Sequence, residues 1–211
     1  MRLFLIRHGE TEWNVKGVFR GRVDVPLSDV GVKQAEALGN YLSEVDFEAI
    51  YSSPLKRSLD TAMAIARFQK RRVDVIADER LIDINYGDWE GKLEDEVKKA
   101  YPDLYSEWLR NPHKVKFPRG ESLSDVRLRL QNFINQLTST HRGNVAVVSH
   151  RVICKVLICM LLGLDDSKFW NVRIDCGGIT IFDYDNGAFT LVKHNDTSYF
   201  SGMQSHRLRD F

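Results

Sequence analysis

The chain lacks most of what would mark a specialised protein. It has only three cysteines, Cys154, Cys159 and Cys176. An odd number without metal-ligand spacing excludes a disulfide scaffold and a cysteine-based metal site, and fits reduced thiols. Prolines number five and glycines 14 in 211 residues, so no low-complexity or linker-like tract is expected. Charge is balanced, with 30 basic and 29 acidic side chains and a net charge of +1. That balance argues against a nucleic-acid or membrane partner, and any anion must be recognised by a local cluster. The short run Lys70-Arg71-Arg72 reads as a solvated helix end. The longest apolar run, residues 152–164, is broken by Lys155 and is too short to cross a bilayer. The first strand begins by residue 2 with no signal-peptide pattern before it. A cytoplasmic protein without internal repeats is expected.

What is present is an ordinary globular composition, 43% hydrophobic and 28% charged. The length suits one substantial core and is short for two, so residues 1–211 are expected to form one domain. Strand-like runs cover residues 3–7, 49–52, 73–76, 145–149, 179–184 and 188–194. The first, second and fourth are continuously apolar, as parallel strands covered on both faces must be. The last two flank Asp185-Asn186-Gly187, a hairpin signal. Helical periodicity fills the gaps: one helix capped by Ser28 and running to residue 42, one after Pro54 to about residue 68, one behind a Ser122/Asp125 capping box, and one just past His150. The alternation predicts an α/β three-layer sandwich, with a mostly parallel central sheet and an antiparallel edge. Residues from about 85 to 120 interrupt it with short helices and Pro102, Pro112 and Pro118, and read as a small helical cap insertion.

Chemistry collects at strand ends. The first strand runs into Arg7-His8-Gly9-Glu10-Thr11-Glu12-Trp13-Asn14. The second ends at Ser52-Ser53-Pro54-Leu55-Lys56-Arg57, and the fourth at Ser149-His150-Arg151. Ligands of open α/β sheets bind just outside the strand carboxyl ends, where helix N-termini also favour anions. A histidine there can act as a nucleophile, and arginines can clamp a phosphate through paired N–H groups. Taken singly, Arg57 also reads as a solvated residue and His150 as a core histidine.

The string Arg7 to Asn14 resembles the signature of the histidine phosphatase (phosphoglycerate mutase-like) superfamily. Further landmarks follow in order: Phe19-x-Gly21, Pro26-Leu27-Ser28-x-x-Gly31, Ser52 to Arg57, Gly87-x-Trp89-Glu90-Gly91, Gly120-Glu121-Ser122 and Val147-x-Ser149-His150. The resemblance implies a phosphohydrolase in which His8 is phosphorylated, Arg7, Arg57 and a protonated His150 bind phosphate, Asn14 adds a further donor to phosphate, and Gly21 belongs to the substrate-binding set. It implies no metal, no cofactor, and a small phosphorylated metabolite as partner, and it leaves room for a homodimer. Asp83 stands where relatives carry a glutamate as proton donor, with Glu79 as the alternative. An Asp in a cationic pocket stays ionised, so a group delivered by closure or by substrate is expected. Arg20 and Arg151 depart from the family pattern. Both read either as solvated or as extra positive charge at the pocket mouth, which favours a substrate with a second anionic group. Residues 111–115, 120–122 and 167–170 are reminiscent of metal-independent phosphoserine phosphatases and are compatible with α-ribazole and broad-specificity phosphatases. A phosphoglycerate mutase and a catalytically weak phospho-ligand binding module are the alternatives. The tail, residues 196–211, with His206, Arg207 and Arg209, reads as a disordered end or as a cover over a pocket.

Overall fold

A computed structural model describes residues 1–200. Six strands form one sheet: β1 (Arg2–Arg7), β2 (Phe47–Ser52), β3 (Val75–Ala77), β4 (Asn144–Ser149), β5 (Ile179–Asp185) and β6 (Ala188–Asp196), in the order β3-β2-β4-β1-β5-β6. The pairs β3/β2, β2/β4 and β4/β1 are parallel, whereas β5 runs antiparallel to both β1 and β6. The expected mixed sheet with an antiparallel edge is therefore observed. The two-residue turn between β5 and β6 places Asn186 at φ 49° and Gly187 at φ 83°, the left-handed pair that an Asn-Gly hairpin turn requires.

Side chains alternate across the buried strands and build two cores. Phe4, Ile6, Ile50, Ala146 and Val148 face one side, where α2 (Asp29–Tyr41) and α3 (Lys56–Arg67) contribute Leu38, Ala62 and Ile65. Leu3, Leu5, Tyr51, Val145 and Val147 face the other. They are covered there by α6 (Leu123–Thr140) and α7 (Arg151–Leu161). Helix α7 holds the long apolar run, and the run is apolar because the sheet and α6 bury it. No helix among the described residues is long and apolar enough to cross a membrane. Lys155, the charge inside the run, is 1% exposed, with its ammonium 4.6 Å from the Trp170 ring and 5.0 Å from that of Phe169.

Residues 85–120 carry α4 (Glu94–Ala100), α5 (Pro102–Arg110) and short 3₁₀ turns. Their Trp89, Tyr105, Trp108 and Phe117 join the same buried cluster as Leu3 and Leu5. Edge-to-face contacts knit them together, with Trp89 5.1 Å from Phe19 and 4.9 Å from Phe117.

Some boundaries differ from expectation. Strand β3 starts at Val75, two residues later than the apolar pattern suggested, because it pairs with β2 only along Ile50–Ser52. The basic run at 70–72 lies past the end of α3. Lys70 pairs with Glu44, Arg71 with Asp46 and Arg72 with Asp74, so its charge is locally neutralised. The start of the tail is anchored: Asp196 ends β6, accepts from Tyr41 at 2.9 Å, and is followed by the buried Phe200. His206, Arg207 and Arg209 lie outside the described residues. The three cysteines are buried, and none is in a disulfide.

Candidate active site

Sheet order brings three distant segments to one crevice. β4 lies between β1 and β2, so Arg7 pairs with Ser149 and Ser52 with Val148. The residues leaving the three strand ends are thereby side by side. The amide of His8 donates to the Ser149 carbonyl at 2.9 Å, and that of Ser53 to the Val148 carbonyl at 3.0 Å. Arg7, His8, Arg57, Asp83, His150, Arg20 and Arg151 are all buried, none more than 9% exposed.

The turn after β1 is fixed by close packing. A Cβ on Gly9 would strike the Gly31 carbonyl, and one on Gly31 would strike the Glu10 carbonyl. That contact explains the second sequence landmark, since Ser28 caps α2 at Gly31 and its hydroxyl donates to Glu10 at 3.1 Å. The short helix α1 (Glu12–Val15) follows, closed by a Thr11/Asn14 capping box. Asn14 Oδ1 accepts from both the amide and the hydroxyl of Thr11.

His8 Nδ1 lies 2.6 Å from its neighbour's carbonyl, Gly9 O. That bond assigns the ring proton to Nδ1 and leaves the Nε2 lone pair outward. Burial, then the charges of Arg57, Arg7 and Arg20, hold the imidazole well below its ordinary value of 6.5. The ring is therefore neutral. Arg7 is aimed by a 2.7 Å bond from Nη1 to Ile174 O, while the Gly177 amide reaches the carbonyls of both Arg7 and His8 at 3.1 Å.

Arg57 occupies the first turn of α3 and is fully buried. Its guanidinium donates to Val23 O at 2.9 Å, Gly21 O at 2.8 Å, Asp83 Oδ2 at 3.3 Å and His150 Nδ1 at 3.2 Å. Gly21 thus supports the site through its backbone. Its φ of +51°, and the Glu90 carboxylate lying where a side chain would go, both require glycine. Glu90 accepts from the amides of Arg22 and Tyr86, which ties the Phe19-x-Gly21 landmark to the Gly87-x-Trp89-Glu90-Gly91 landmark.

Two expectations concern protons. His150 was expected as a protonated cation. Because an arginine can only donate, His150 Nδ1 must accept from Arg57, and the ring proton sits on Nε2, 2.7 Å from Ser53 Oγ. Burial and Arg57 push its pKa well below 6.5, so it is neutral in this state. For the proton donor, a group delivered by closure or by substrate binding was expected, with Asp83 as the matching residue. Its carboxylate is already in place, 3.3 Å from Arg57 and 3.7 Å from His150, with Oδ1 accepting from its neighbour's amide at 3.0 Å. Arg20 and Arg151, read as either solvated or at the mouth, lie inside. They line one narrow cavity with Asp83 and Tyr86. Sequence reasoning passed over Ser53 as the partner of His150, although the residue sat inside a quoted motif. It also passed over the 174–178 loop, for which no local pattern exists.

Two buried neutral imidazoles make stability depend on pH. The unfolded chain binds their protons from about pH 6.5 downward, and the folded chain does not until far lower, so stability is lost as pH falls through about 6.5. Exposed His194 shifts in the same direction. The urea midpoint is expected to drop between about pH 7.5 and 5.5 and to be restored by inorganic phosphate. A flat profile would mean that the imidazoles ionise while the protein stays folded.

Comparison with known proteins decides the family. Residues 3–197 match the model of the histidine phosphatase superfamily, branch 1. The chain belongs to this family. It is 39% identical over 200 residues to phosphoserine phosphatase 1 of Hydrogenobacter thermophilus, covering 94% of both chains. Identity to the adenosylcobalamin/alpha-ribazole phosphatase of Escherichia coli is 31% over 192 residues, covering 90% of this chain and 94% of the other. Among solved structures, Bacillus stearothermophilus YhfR superposes with a TM-score of 0.88 at 34% identity, over 94% of this chain and 98% of that one. This histidine phosphatase is a phosphoric monoester hydrolase.

Proposed function

We propose that this histidine phosphatase hydrolyses a small phosphorylated metabolite, phosphoserine-like in size, through a phosphohistidine on His8 and without a metal. The observation that carries the reading is the 2.6 Å bond from His8 Nδ1 to Gly9 O. It leaves a neutral imidazole lone pair in the field of the Arg57 and Arg7 guanidiniums. His8 Nε2 attacks phosphorus, the bond to the ester oxygen breaks, and the leaving oxygen takes a proton from Asp83. Asp83 accepts from Arg57 in the resting site, so the proton it gives is first acquired from the monoanionic ester. Water then attacks the phosphohistidine and returns its proton to Asp83 as the P–N bond breaks. With little covalent help available, the acceleration rests on positioning and charge. Once the bound ester has passed its proton to Asp83 and become a dianion, His150 takes up a second proton from solvent and becomes a further phosphate donor.

The 39% identical relative is named a phosphoserine phosphatase, which supports a substrate of that size. The reading treats residues 1–211 as one domain whose insertion at about 85–120 supplies Tyr86 to the pocket wall. It places the protein in the cytoplasm, in keeping with three buried cysteines outside any disulfide. A panel assay in chelator tests it, with phosphoserine, 3-phosphoglycerate with and without its bisphosphate, α-ribazole phosphate and p-nitrophenyl phosphate. Chelator-insensitive phosphate release from one small ester is expected. Isomerised phosphoglycerate without release would make the enzyme a mutase, and release abolished by chelator would overturn the metal-free mechanism.

A further inference from the structure

Arg20 is buried at 9% exposure and makes no ion pair among the described residues. Its one hydrogen bond is a long 3.5 Å contact to Val18 O, and its Nε has no partner. A buried guanidinium so poorly satisfied is costly unless a ligand completes it. Its surroundings raise that cost. Burial and the charges of Arg7, Arg151 and Arg57 bring its pKa down to about 9, with Asp83 the opposing charge. The cavity it lines also contains Arg151 and Tyr86, whose hydroxyl accepts from Arg151. Asp83 lines the same cavity. On the proposed reading Asp83 meets the leaving oxygen, so whatever is attached to that oxygen lies beside Arg20.

We propose that Arg20, with Arg151 and Tyr86, forms a second anion subsite on the alcohol side of the phosphoryl pocket, selecting phosphomonoesters whose alcohol carries a carboxylate close to the ester carbon. The inference rests on the phosphatase reading for the position of the alcohol and on Arg20 for the charge. A carboxylate fits better than a second phosphate for two reasons. A planar guanidinium matches a carboxylate through two parallel N–H···O bonds. The neighbouring Asp83 also repels a dianion more strongly than a monoanion. A neutral alcohol would leave Arg20 buried and unsatisfied, the situation in which polar sites discriminate most sharply.

The test uses matched esters that differ at one group: phosphoserine against phosphoethanolamine, and phosphoglycolate against ethyl phosphate. In the wild-type enzyme kcat/KM is expected to favour the carboxylate member of each pair by about 10²-fold or more. Arg20→Gln is expected to cut that ratio at least about tenfold, mainly through KM, and Arg20→Lys to restore part of it. The same preference is expected in the dissociation constants of His8→Ala, measured by calorimetry, which need no turnover. Absence of turnover of every ester by the wild-type enzyme, with the binding preference intact in His8→Ala, would therefore sink the phosphatase reading and leave the subsite standing. A wild-type ratio near one, or a ratio unchanged in Arg20→Gln, would overturn the subsite. Preference for propane-1,3-diol bisphosphate over phosphoglycolate would overturn the carboxylate assignment.

Discussion

Replacing His8 by alanine is expected to lower phosphate release by about 10⁶-fold, the scale on which loss of a nucleophile is felt. The size follows from the division of labour in the pocket. Arg7 and Arg57 are oriented by backbone carbonyls and by Asp83, not by His8, so ligand affinity should survive while turnover does not. The wild-type enzyme, quenched in mid-reaction with labelled substrate, should carry label that is lost in acid and kept in base, as a phosphorus–nitrogen bond requires. His8→Ala should carry none. Label with the opposite stability would place the phosphoryl group on a carboxylate, and Asp83 would then be the nucleophile.

Asp83→Asn should separate esters by their leaving groups. For an alkyl phosphate the departing alkoxide needs a proton, and loss of the donor is expected to lower kcat by about 10²–10³-fold. For p-nitrophenyl phosphate, whose leaving group departs as a stable anion, the loss should stay within about tenfold. Asp83 also accepts from Arg57 at 3.3 Å, and asparagine keeps an acceptor there, so that contact is retained at reduced strength. Equal losses on both esters would reduce Asp83 to a positioning residue for Arg57. Glu79 opens a 3₁₀ turn at Glu79–Leu81, ahead of the buried Asp83, and its substitution should not separate the two esters.

Much of the site was legible because of how parallel sheets are made. Strands covered on both faces are continuously apolar, so the first polar residue marks the strand's end, and Arg7, Ser52 and Ser149 stand at such ends. The convergence depended on β4 pairing with both β1 and β2, which strand alternation suggests and does not fix. The charge state of His150 was not legible. It turns on which nitrogen faces Arg57, a contact between residues 93 positions apart. The burial of Arg20 and Arg151 was hidden for the same reason. An arginine in a loop looks solvated until Tyr86 and Asp83, from a different segment, are found lining its cavity. The hold on Arg7 by Ile174 and Gly177 comes through backbone atoms, which no side-chain pattern announces.

The position of β4 has a consequence for the chain as it is made. Strands β1 and β2 are joined to each other only through β4, which ends at Ser149. A ribosome adding about 5–20 residues per second exposes both strands, each with an unpaired edge, for several seconds before residue 149 emerges. Over that interval the His8 amide lacks its Ser149 acceptor and Arg57 lacks His150, so the site for phosphate is incomplete. Neither the catalytic pocket nor the centre of the sheet can close before β4 is made, and truncation anywhere before it forfeits both.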